Sequence, residues 1–196
     1  MLRTERRRAW FLAALITFSY GYFFHFYETI PNPNETARLY LTLAIVDEGT
    51  LAINNPMEKH GVVWDRAERD GKLYSDKAPG LSVLAVPAYA VAKWTSELFG
   101  SPLSYAGAHA AARWGSVILP SVAFCVFLYF FLASVLPDPR LRMLLVLVYA
   151  LGSLSRTYGV LFFGHQTAAV LSCAGVMLLW RYGRAPGWRA LTAMLC

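Results

Sequence analysis

Apolar residues come in long runs separated by polar stretches, and their spacing predicts helices. The run from Trp10 to about Tyr27 is apolar and aromatic and follows Arg6-Arg7-Arg8. It ends in bulky rings, so it reads as an uncleaved span with its amino terminus inside. Further spans are expected over about 114–136, 143–157 and 165–180, with a fifth opening at Trp188 and stopping at Cys196, as in the front part of a longer protein. Residues 28–113 form a large outer loop between the first two spans. Within it Asn34 is expected to cap a helix from Glu35 to about Glu48, with Pro33 before the cap and Gly49 after the end. Leu39, Leu43 and Val46 share one face of this helix, which sets it along the membrane surface. Leu81 to Phe99 is long enough to cross, but Pro87 breaks it, and Lys93, Ser96 and Glu97 stand beside Leu84, Val91, Trp94 and Leu98. An interfacial helix fits that pattern better. The expected fold is all-α, a polytopic transmembrane helical bundle with a large outer first loop carrying interfacial helices.

Composition points the same way: 57% hydrophobic against 15% charged residues excludes a disordered, collagenous or ordinary soluble class. The net charge of +6 does not form a nucleic-acid patch, because ten of the twelve acids fall between Glu28 and Glu97. With 81–99 in the interface, the inner side carries nine basic and two acidic residues, net +7, and the outer side nine basic and ten acidic, net −1. That is the bias expected of short cytoplasmic loops. Were 81–99 to cross, Arg140, Arg142, Arg181, Arg184 and Arg189 would fall outside, against the rule. An integral, multi-pass protein of the bacterial inner membrane is expected, with its site on the outer side and no nucleic-acid partner. The cysteines, Cys125, Cys173 and Cys196, lie in apolar runs without a CxxC pair and read as packing residues.

Two polar clusters in the loop could carry chemistry. In Pro33-Asn34-Glu35-Thr36-Ala37-Arg38, the Glu35 carboxylate can take a proton from a hydroxyl or bind a cation. Equally, it can complement the dipole of its own helix, with Arg38 a solvated charge. In Tyr74-Ser75-Asp76-Lys77-Ala78-Pro79-Gly80, Lys77 can neutralise a phosphate at headgroup depth or act as a snorkelling interfacial lysine, and Asp76 can pair with it or cap the next helix. Asp65 stands out in a mixed-charge stretch that reads as a solvated turn ending at Gly71. His165 opens an apolar segment near Arg156 and Tyr158, either as an ionisable group at the mouth of a bundle or as a histidine satisfied by water. His25 and His109 read as interfacial packing and His60 as part of a turn. No histidine has a metal-type partner at i+4, so no metal site is assigned; a divalent cation stays compatible with the carboxylates.

The order and spacing of Asn34-Glu35-Thr36-Ala37-Arg38 and Tyr74-Ser75-Asp76-Lys77-Ala78-Pro79-Gly80 after an arginine-flanked span resembles the amino-terminal part of the GT-C membrane glycosyltransferases. The group includes protein O-mannosyltransferases and the aminoarabinose transferases acting on lipid A. The resemblance covers about Trp10 to Trp180 and implies transfer of a sugar from a polyprenyl-phosphate donor to a lipid, glycan or protein acceptor, among membrane lipids. It implies Glu35 as the catalytic carboxylate, Lys77 and Arg38 as donor-phosphate ligands, and Asn34, Asp76, Asp65, Arg156 and His165 as site support. The chain departs from the family at Asn34, where an acidic residue is often found, and at Ala78 and Gly80 of the family's Lys-Pro-Pro-Leu signature. Two other classes stay open: a transporter or flippase of lipid-linked sugars, with Glu35, Lys77 and His165 in a gated path, and a non-catalytic assembly subunit.

Overall fold

The computed structural model describes residues 2–22 and 32–182. It divides into two compact units. One comprises Met1–Phe23, Ile118–Gly159 and His165–Cys196, and the other Phe24–Val117 with Val160–Gly164. Residues 23–27 of the first expected span, His25 among them, and the expected fifth span from Trp188 lie outside the described residues.

In the first unit, helix α1 (Leu2–Tyr22) packs on α6 (Leu119–Phe131) and α7 (Pro139–Gly152), and α8 (Leu154–Tyr158) and α9 (Gly164–Tyr182) follow. Leu12, Ile16 and Tyr20, spaced four apart on one stripe of α1, are fully buried. At one end of α1, Glu5 accepts hydrogen bonds from Tyr129 Oη (2.6 Å), Arg8 (2.9 Å) and Arg142 (3.2 Å). The Tyr129 hydroxyl, backed by both arginines, holds the Glu5 carboxyl below its ordinary pKa despite partial burial.

The second unit is built on α2 (Pro33–Glu48), which packs against α4 (Gly80–Leu98), itself packed against α5 (Tyr105–Arg113). Helix α2 ends at Glu48, as its pattern predicts, with Gly49 in the left-handed conformation (φ 65°). Its N-cap, however, is Asn32 and not Asn34. Asn32 has extended backbone, its Oδ1 accepts from the Asn34 N–H at 2.9 Å, and Pro33 occupies the first helical turn, where its missing N–H costs nothing. Between α2 and α4 lie the short helix α3 (Asn54–His60) and a hairpin of β1 (Arg66–Arg69) and β2 (Lys72–Ser75), antiparallel with Arg69 opposite Lys72.

The all-α expectation is therefore corrected. The hairpin turns on Asp70-Gly71, both at positive φ (52° and 72°), the geometry of a primed two-residue turn. The expected solvated turn over 64–71 is half of this sheet. The polytopic bundle is corrected as well. Among the described residues a single helix, Tyr105–Ser134, is long and apolar enough to cross a membrane. Helix α1 spends its first turns on Arg3, Glu5, Arg6, Arg7 and Arg8, leaving too few apolar residues before Tyr22. Helix α7 has 14 residues and starts with Arg140 and Arg142, and α9 opens on His165-Gln166-Thr167 and closes on Arg181.

The Tyr105–Ser134 helix begins ahead of the expected residue 114 because Ser104 caps it, accepting from the Gly107 N–H at 3.1 Å. It widens into a π turn over Trp114–Ile118 and tightens to a 3-10 turn over Leu132–Ser134. The helix expected over 143–157 runs instead over Pro139–Gly152 and breaks at Ser153, whose hydroxyl caps α8.

Two contacts set α4 in place. Asp47 on α2 accepts from Tyr89 Oη (3.0 and 3.1 Å) and from Lys93 Nζ (2.8 Å). The bond to Asp47 raises the Lys93 pKa against the smaller opposing effect of burial. The pair therefore stabilises the fold fully below the ordinary lysine pKa of about 10.4, and its contribution is lost as pH rises through the higher folded value. We predict that Asp47→Asn lowers stability at pH 7 by about 1 kcal/mol and that the gap from wild type narrows as pH rises through the raised Lys93 value, as thermal melts would show. At Gly115, a methyl group would overlap Ala88 Cβ on α4. Gly115→Ala is expected to cost about 1–3 kcal/mol, because neither helix can yield without moving its neighbours; an unchanged melting temperature would refute that close approach.

Candidate functional site

The capping of α2 by Asn32 turns Asn34 along the helix, where its Oδ1 accepts from Arg38 Nε one turn later at 3.0 Å. The Arg38 guanidinium then donates from Nη1 to the carbonyl of Ala78 at 2.9 Å. This bond joins two motifs forty residues apart, and the backbone behind it is laced as well. Ser82 Oγ donates to the Arg38 carbonyl at 2.9 Å, and Thr42 Oγ1 lies 3.1 Å from both the Arg38 and Ser82 carbonyls.

Beyond β2, the Lys77 ammonium sits 3.0 Å from Asp65 Oδ2 and 3.2 Å from Asp76 Oδ1. The Asp76 N–H bonds the Asp65 carbonyl at 3.4 Å, and the Lys77 N–H bonds Ser75 Oγ at 3.3 Å. The bond to Asp65 raises the Lys77 pKa, with a further contribution from Asp76, so the amine is charged at every physiological pH. Burial lowers the Arg38 pKa, opposed by the charges of Asp76 and Asp65, and the guanidinium remains a cation. Arg38, Asp65, Asp76 and Lys77 thus form one cluster with no net formal charge, immediately before the amino terminus of α4 at Gly80. Two of the three ammonium donors of Lys77 face carboxylates, leaving one for a ligand. Asp76 is the most open of the three ion-paired side chains, at 40% exposure.

Glu35 faces elsewhere. It is 3% exposed, and its Oε2 accepts from the backbone N–H of Phe162 at 2.7 Å and lies 3.2 Å from His109 Nε2. One turn along α5, Arg113 donates to the Val160 carbonyl at 3.0 Å, and the Phe162 ring meets His109 edge-on at 6.1 Å. Glu35, His109 and Arg113 therefore hold residues 160–164 against α2 and α5. The segment ends at Gly164, whose backbone lies beside the Arg38 guanidinium. Glu35 touches the cluster only through this chain of contacts. Its partners come from residues 109 and 162, so no local pattern around Pro33-Asn34-Glu35 announces its burial; His109, fully buried, is not an interfacial histidine.

Arg156 and His165 belong to the other unit. Arg156 donates to the Ser19 carbonyl at 3.2 Å and lies over the Tyr20 ring at 5.3 Å, while the exposed His165 meets the edge of the Tyr158 ring at 5.0 Å. Among the described residues no group of three or more histidine, cysteine, aspartate or glutamate side chains is arranged to hold a metal ion. Cys125 is buried and Cys173 exposed, so only the former packs inside its unit.

No known family matches. Neither a family model, nor a curated protein, nor a solved structure is similar to this chain.

Proposed function

We propose that the chain is a membrane-associated glycosyltransferase that takes a sugar from a polyprenyl-phosphate donor, on the outer side of a bacterial inner membrane. The observation that carries this reading is the Arg38–Ala78 bond, which draws Arg38, Asp65, Asp76 and Lys77 from three separated segments into one cluster. Glycosyl transfer needs fixed positive charge where negative charge develops on the leaving phosphate, and an accessible carboxylate where the acceptor hydroxyl sheds its proton. Lys77, with Arg38 behind it and the α4 amino terminus beside it, supplies the first. Asp76 supplies the second. Glu35 serves as a positioning residue, keeping residues 160–164 beside Arg38.

A lipid-linked donor requires a surface that meets the bilayer. Support comes from the Tyr105–Ser134 helix and from exposed apolar side chains on α4, including Leu84, Val91, Trp94 and Leu98. The test is direct: the full-length protein in membranes is offered a panel of radiolabelled polyprenyl-phosphate sugars. Release of label from one carrier, dependent on the protein, is the expected result. If no donor in a broad panel is consumed, the glycosyltransferase reading fails.

A further inference from the structure

A second recess in the same unit has no role in the cluster. It is a cleft of about 200 Å³ lined by residues that include Thr36, Tyr40, His60, Gly61, Trp64 and Tyr105. Its size falls below the roughly 300–1,000 Å³ of pockets that take drug-sized molecules, so it has room for no more than a single small ring. The lining combines flat aromatic faces with fixed polar atoms. His60 stacks on Tyr105 with ring centroids 4.7 Å apart and planes 26° apart, and Tyr40 lies 6.3 Å from Tyr105. Tyr40 Oη donates to the Gly61 carbonyl at 2.9 Å, leaving a second lone pair on that oxygen.

Trp64 is the residue that needs explaining. Its side chain is 80% exposed, so it adds almost nothing to the core. Yet it is braced: the Arg66 guanidinium lies 5.5 Å from its ring centre and is itself tied to the Val63 carbonyl at 3.2 Å. An exposed indole held still beside a polar cleft is a surface for a ligand with apolar C–H faces and hydroxyl edges. Burial and the neighbouring Lys59 charge lower the His60 pKa, so the imidazole is neutral at pH 7 and keeps an acceptor nitrogen.

We propose that this cleft is a monosaccharide site, with Trp64 and Tyr105 packing against the C–H faces of one sugar ring and Thr36, Gly61 and His60 bonding its hydroxyls. The neighbouring residue on the chain, Asp65, is the one that holds Lys77, so a single peptide bond joins the cleft to the cation cluster. Choosing a sugar over another small polar ring rests on the glycosyltransferase reading.

The experiment is saturation-transfer NMR on the detergent-solubilised full-length protein with a panel of free hexoses, pentoses and amino sugars, without any polyprenyl phosphate. Transfer to one sugar is expected, with affinity falling about tenfold or more in Trp64→Ala and largely kept in Trp64→Phe and in Lys77→Ala. A melting temperature unchanged in Trp64→Ala would show that the exposed indole is not a folding residue. Inhibition of turnover by the bound sugar, competitive with the lipid donor, would place the donor's ring here; non-competitive inhibition would place the acceptor's. No transfer to any sugar from protein that still consumes its lipid donor overturns the cleft and leaves the transferase standing. An affinity in Trp64→Ala equal to that of the wild type overturns the cleft too.

Discussion

Replacing Lys77 with alanine is expected to lower turnover of the polyprenyl-phosphate donor by about 10²–10³-fold, the usual effect of removing one preorganised group from a developing negative charge. The fold should tolerate the change. Asp65 and Asp76 are 26% and 40% exposed, so the two carboxylates left behind can be hydrated, and the expected loss of stability is about 1 kcal/mol or less. Lys77→Arg separates charge from geometry: it keeps the cation but replaces a compact ammonium with a planar fork, and an intermediate rate is expected. Because its carboxylate partners raise the Lys77 pKa, its positive charge persists past the ordinary lysine value of about 10.4. No loss of rate from Lys77 deprotonation is therefore expected at or below pH 10. A Lys77→Ala protein that melts normally and turns over at the wild-type rate would remove the cluster from the mechanism.

Substituting Glu35 should act through the fold. Glu35→Leu removes the acceptor of the Phe162 N–H and the partner of His109 Nε2 in a buried site, and a loss of about 3–5 kcal/mol is expected. Glu35→Gln keeps a carbonyl acceptor for Phe162 and should cost about 1–2 kcal/mol. The ordering matters more than the values, and thermal melts in detergent would establish it. If Glu35 only positions residues 160–164 beside Arg38, Glu35→Gln should keep turnover within about tenfold of wild type once measured well below its melting temperature. A Glu35→Gln protein that is folded and stable yet has lost turnover by more than about 10³-fold would instead make Glu35 a group that touches the reacting atoms.

Much of the helical pattern was legible along the chain. The end of α2 follows from Gly49 and the extent of α4 from its amphipathic run, but the break expected at Pro87 does not occur, and the helix runs through it from Gly80 to Leu98. The hairpin reads along the chain only as a solvated turn: Asp70-Gly71 marks its bend, but its strands are short and polar and carry no alternating apolar face to announce them. The start of the Tyr105–Ser134 helix was obscured by His109 and Arg113, which look out of place in an apolar helix until their partners on α2 and residues 160–162 are seen.

The same distinction holds for the site. Residue type and order alone determined that a carboxylate, a lysine and an arginine recur in two motifs beside apolar helices. These are local facts, carried by neighbours in the chain. Only the tertiary structure decided which of them meet. Arg38 reaches Ala78 because α2 and α4 pack side by side, Lys77 lies between carboxylates from two sides of the hairpin, and Glu35 turns inward because the N–H of Phe162 needs an acceptor there. A buried donor must be paired wherever in the chain its partner lies, and such long-range pairing is set by packing that no short motif records.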